Sequence, residues 1–174
     1  VWTTVSLAAF SAFLAFSAVL FSPRCAVTDF SAALVAPFVT QGSNGYFLDK
    51  MVYEGKKVFL QTLVWPHATA AQHLKYTEAQ YQWAVENEAQ VWRYFLEREY
   101  LYSTDTDLEY RFLFPAPFSK FQLVLDRESS PRIEQFIGFQ MVKAYYEKHD
   151  KNLLKLLEVS AIDLLREASY KPKK

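Results

Sequence analysis

Two acidic residues stand where the pattern of the chain calls for apolar ones, and they are the first candidates for chemistry. On a helical wheel Glu54 falls beside Phe47 and Val58 at the edge of an apolar stripe, so its carboxylate can reach inward. Glu88 lies in the middle of a second stripe made by Tyr81, Ala84, Trp92 and Phe95. A buried, unpaired carboxylate is costly, so each must be neutralised, bonded or put to use. If both line one polar pocket they can do acid and base work, provided that they converge on a substrate with their pKa values set apart. The structural alternative for Glu88 is a salt bridge or a bond to loop backbone. Histidine offers less. A zincin helix needs HExxH, two imidazoles one turn apart with a glutamate base between them, whereas His67 and His73 are six residues apart and His149 is distant. His67 and His73 read as loop residues between two helices, and His149 as a cation near a helix C-terminus. Ser103, Ser119 and Ser129 lack a nucleophile-elbow context, and the glycines are too scattered for a phosphate loop. Trp65, Trp83 and Trp92 recur at helical spacing and read as core rather than as a platform for bases or sugars. No cofactor is expected.

The elements that must position these groups are helices. Leu48, Met51, Val52, Gly55, Phe59 and Leu63 mark one buried stripe of a helix that Asn44 can cap and that Pro66 follows. A second helix begins at Thr77, with Gln80 completing a capping box, and buries Tyr81, Ala84, Val85, Val91, Trp92, Phe95 and Leu96. Residues 101–107 are turn chemistry, Pro115 and Pro117 break any helix, and 121–125 suit a short extended piece. Ser130 and Pro131 serve as cap and first position of a helix bearing Ile133, Phe136, Ile137, Met141 and Ala144, with Gly138 permitting close approach of a neighbour. Two short helices follow, 153–158 and one capped by Ser160 with Asp163 as its partner. The expected class is mainly α, a single helical domain.

With 174 residues and zero net charge, the chain has material for one core and no global basic field for nucleic acid. Lys171, Lys173 and Lys174 read as a solvated tail. The single cysteine, Cys25, allows no intrachain disulfide. Before Asn44 only Arg24 and Asp29 are charged, and residues 1–23 carry no charge, a length that suffices to cross a bilayer as a helix. No positive charge precedes Arg24, and Cys25 follows Pro23 and Arg24 rather than small apolar residues, so neither an ordinary signal nor a lipobox is supported. The expectation is two regions: 1–43, apolar and either misread or strongly diverged, and 44–174, a helical domain.

A series of phrases runs through the second region: YEGK at 53–56, NEAQVW at 87–92, LYSTD at 101–105, PAPFSK at 115–120, IGFQMV at 137–142 and SYKPKK at the end. In order and spacing they resemble the C-terminal half of the GldB family of gliding-motility lipoproteins from Bacteroidetes, over Gly45 to Lys174. Gly55, Lys56, Asn87, Trp92, Pro117, Phe118 and Gly138 are the motif residues that carry it. The resemblance implies a non-catalytic cell-envelope component of gliding and type IX secretion, working through contacts with other machinery proteins. It also implies a lipid anchor in the full-length parent and a position facing the periplasm. The pair Glu54 and Gly55 is further similar to the helix that supplies the glutamate ligand of gluzincin peptidases, and Gly138 with Phe139 to a later helix of that group. Two other readings follow: a degenerate zinc metallopeptidase-like half with Glu54 as a residual ligand, and a generic helical protein-interaction module.

Overall fold

The computed structural model describes residues 23–121 and 126–172. Among them the chain forms eight α-helices, three short 3-10 turns and no strand. The helices are α1 (Pro23–Val35), α2 (Phe47–Val64), α3 (Ala70–Leu74), α4 (Glu78–Glu97), α5 (Asp107–Phe112), α6 (Ile133–Lys148), α7 (Leu153–Glu158) and α8 (Ala161–Ala168). None of the described helices is long and apolar enough to cross a membrane.

The α2 and α6 pair is the axis of the fold, with the most extensive contact between any two elements. Its closeness comes from two glycines. A Cβ on Gly138 would collide with the backbone carbonyl of Met51, and one on Gly55 would collide with the backbone of Gly138. Helices that approach this closely bring backbone to backbone, which only residues without side chains at the crossing permit. Leu48, Met51, Val52 and Gly55 are buried from α2, while Ile133, Phe136, Ile137, Phe139, Met141, Val142 and Tyr145 are buried from α6. So wide a buried surface makes α6 a central helix, with α2, α4, α7 and α8 against it.

Local signals explain most boundaries. Thr77 Oγ1 accepts from the Gln80 amide while the Gln80 side chain accepts from the Thr77 N–H, the expected capping box of α4. Ser160 accepts from the Asp163 N–H at 3.1 Å and starts α8. Three expectations about helix bounds are corrected. Helix α2 starts at Phe47, because Asp49 takes the Tyr46 N–H at 3.2 Å and so Asn44 is not the cap. Helix α6 starts at Ile133, after Arg132 in the left-handed region, because the Ser130 hydroxyl is used on the Gln80 carbonyl instead. Helix α3 occupies the stretch expected to be loop, its Thr69 and Gln72 making a further capping box. Leu63 and Leu96, assigned to buried stripes, and Trp65, read as core, are exposed near helix ends. The short α5 was not expected, whereas the turn before it was: Ser103 and Asp105 accept from the N–H groups of Asp105 and Asp107. Residues 122–125 of the expected extended piece lie outside the described residues, as do residues 1–22 and the last two lysines.

Against the axis packs a cluster of rings from α2, α4 and α5. Phe47, Phe95 and Phe112 meet edge to face at centroid distances of 5.2 to 6.2 Å, and Phe112 meets Phe121 at 5.1 Å. Each such pair adds about 1 kcal/mol beyond its burial.

Candidate functional site

Glu54 sits on the flank of α2 that faces α6. Its Oε1 accepts from Lys57 Nζ at 2.7 Å, one turn on, and its Oε2 from Gln135 Nε2 at 3.3 Å. Behind it lies a residue that the sequence reading missed. Glu134 of α6 is completely buried, and neither of its carboxylate oxygens has a hydrogen-bond partner. Burial pushes its carboxyl well above the usual range, Glu54 and Glu109 push it the same way, and Lys50 opposes them. Lys50 is itself paired with Glu109. The signal was present: Glu134, Ile137 and Met141 share one helical face at three- and four-residue steps, so an acid on the innermost face could have been found.

Lys56 has a different task. Its Nζ donates to the carbonyls of Val159 and Leu157 at 2.8 and 3.2 Å, which satisfies the open C-terminal end of α7. Burial lowers its pKa to about 8. Gly55 and Gly138 are the crossing point of α2 and α6. Of the other motif residues, Asn87 donates to the Trp83 carbonyl at 2.8 Å, Pro117 is exposed in the loop before α6, and Phe118 beside it is half-buried.

Glu88 is buried on α4, as its place in the stripe predicts, and accepts a hydrogen bond of 2.6 Å from the Tyr170 hydroxyl. Burial raises the Tyr170 pKa well above the usual phenol value, and the bond to Glu88 adds to the effect. Trp92 meets the Tyr170 ring edge to face at 5.2 Å, so the terminal SYK phrase and the NEAQVW phrase form one contact. Glu88 lines a cleft of about 410 Å³ with Gln140, Lys143 and Tyr170, and Glu54 is not among its lining residues. The structure does not bring the two carboxylates into a common pocket.

His73 is corrected from a loop residue to a buried residue of α3. Its Nε2 is 3.2 Å from the Trp65 carbonyl oxygen, its Nδ1 has no partner, and burial lowers its pKa. His149 ends α6, as expected. No group of three or more metal-ligating side chains occurs among the described residues. A second, larger cavity of about 710 Å³ lies between α4 and the segment before α6.

No curated protein and no solved structure matches the chain. A family model does, over residues 10–172, and so takes in sequence ahead of Gly45, where the resemblance read from the phrases begins. Spanning nearly all of the sequence, that match shows that the chain belongs to the family of the gliding motility protein GldB.

Proposed function

We propose that this protein is a non-catalytic component of the cell envelope that supports gliding, and the type IX secretion on which gliding depends, by holding other proteins of that machinery. The observation that carries the reading is the family match, which ties the chain to gliding motility over residues 10–172. The site geometry supports the role of contacts rather than turnover. Glu54 is engaged by Lys57 and Gln135, Glu88 by Tyr170, and Lys56 by two carbonyls, so each candidate group stabilises a neighbouring element. The lipoprotein designation of the family supports anchoring of the full-length parent to an envelope membrane through a lipid, facing the periplasm.

Deletion of the parent gene should abolish surface gliding, and a full-length copy carrying Glu54→Gln should restore it. An amide keeps one acceptor oxygen for Lys57, and its NH2 can donate to the Gln135 side-chain oxygen once that amide turns over, so both contacts survive the change. Colony spreading and movement of cells on glass are the assays. Normal accumulation of the Glu54→Gln protein in immobile cells would mean that the carboxylate has a chemical role, and the metallopeptidase reading would replace this one.

A further inference from the structure

Charge pairing between α2, α5 and α6 is uneven. The bond from Gln135 to Glu54 sets the first turn of α6 beside residues 50–54 of α2. Glu134, next to Gln135, is fully enclosed there with both carboxylate oxygens unpartnered. The charges that act on its carboxyl are Glu54 and Lys50 from α2 and Glu109 from α5. Helices α4, α7 and α8, which also pack against α6, contribute none of these. Glu54 holds Lys57, one turn on. Lys50 is therefore the cation that Glu134 needs once it is ionised, and Lys50 is paired with Glu109. Two acids from different helices thus compete for one ammonium, and the α5 acid has it. Helix α5 is six residues long, with Leu108 and Phe112 as its buried residues. So short a helix has little stability of its own and depends on the contacts that hold it down. Its outer side carries Tyr110, exposed and stacked on the exposed Phe114 at 4.7 Å, so whatever holds α5 also holds these rings in place.

We propose that Lys50 is a two-position cation: while Glu134 keeps its proton, Lys50 holds Glu109 and docks α5, and when that proton leaves, Lys50 turns to Glu134 and α5 loosens. The choice between the two acids follows from their surroundings. Glu109 has 23% of its side chain exposed and recovers hydration when the ammonium leaves it. Glu134 is enclosed and has no solvent to turn to, so once charged it is the acid for which the absence of a partner costs more. Lysine suits the exchange, because its charge is compact and its four-carbon stem is flexible. Bringing Lys50 to Glu134 also offsets the repulsion from Glu54, which otherwise opposes loss of the proton. The proton passes to bulk water, and no other group need change its charge. Rising pH therefore loosens α5, and falling pH docks it. The inference does not depend on the role in gliding.

The test is hydrogen exchange of the purified full chain at pH 5, 7 and 9, read by mass spectrometry with the intrinsic rates divided out. The reporters are the Leu113 and Phe114 amides, which both donate to the Glu109 carbonyl at 2.8 Å. Amides around the buried Ala84 and Val91 of α4 record global opening. Relative to α4, protection of α5 should fall by about fivefold or more between pH 5 and pH 9, the upper end for a surface ion pair because this one is mostly shielded. In Glu134→Gln it should keep its pH 5 value throughout. In Glu109→Ala and in Lys50→Met it should be low already at pH 5 and change no further. Lys56, whose pKa is about 8, remains in every variant, so a change that starts from α7 would persist in all of them. Equal protection of α5 at pH 5 and pH 9 in the parent overturns the proposal. So does a fall that persists in Glu134→Gln, or one that persists in Lys50→Met.

Discussion

Replacing Glu134 by methionine should make the protein more stable, and the gain should grow with pH. The side chain is fully enclosed, and both carboxylate oxygens lack partners. Removing such a group by an apolar one of similar length relieves about 1–3 kcal/mol of desolvation even when the carboxyl is neutral. A second contribution comes from protonation. Burial, then Glu54 and Glu109, raise the folded-state pKa above the value of 4.5 that the unfolded chain would show, with Lys50 in partial opposition. Above pH 4.5 the folded protein therefore holds a proton that the unfolded chain has released. Its stability falls with rising pH by up to about 1.4 kcal/mol per unit until the folded pKa is passed. Urea denaturation of parent, Glu134→Met and Glu134→Gln at pH 4, 5.5 and 7, followed by tryptophan fluorescence, separates the two contributions. Titrating groups that do not interact with Glu134 are common to the three proteins and cancel in the differences. The methionine variant should lead at pH 4 and lead by more at pH 7. The glutamine variant should gain only the pH-dependent part, because its amide is still desolvated. A difference between parent and methionine variant that is constant from pH 4 to 7 would mean that Glu134 ionises alike in both states, and the account of a protonated buried acid would be wrong.

Gly138→Ala should destabilise by about 3 kcal/mol, at the upper end of ordinary overpacking, because the new methyl meets the Met51 carbonyl and not a side chain that can turn aside. The denaturation midpoint reports it, and a midpoint equal to that of the parent would show that α2 and α6 are not in backbone contact. Glu88→Gln should melt close to the parent, since its amide oxygen can take the Tyr170 hydroxyl, whereas Glu88→Lys should lose about 3–5 kcal/mol by placing an unpaired cation in the same buried spot. Thermal melts of both variants decide it, and a lysine variant that melts like the parent would place this face of α4 in solvent.

The helices that the sequence shows most clearly are those whose burial is one-sided. Helix α4 has a single apolar stripe and a capping box at Thr77, and both its start and the inward position of Glu88 follow from them. Helix α6 is buried nearly all round, so its stripe of Ile133, Phe136, Ile137 and Met141 gives the element but not its rotation, and Glu134 passes unnoticed among them. Caps failed where a competing partner existed. Ser130 is a sound cap in isolation, yet its hydroxyl reaches the Gln80 carbonyl, a residue far away in sequence that no local rule can foresee.

The same limit applies to function. Glu54 was legible as an acid at the edge of a stripe, but its meaning depends on Gln135, which α6 brings to it from the other end of the chain. Glu54 and Glu88 look alike in sequence because both break an apolar period. In the fold they are separated by what binds them: Glu54 joins α2 to α6, while Glu88 joins α4 to the C-terminal tail through Tyr170. Lys56 does the same for α7 through two carbonyls. Three phrases of the family pattern, YEGK, NEAQVW and SYK, thus contain the polar residues that fasten successive helices to the core. Fastening of this kind explains why polar groups recur at inward positions without meeting one another.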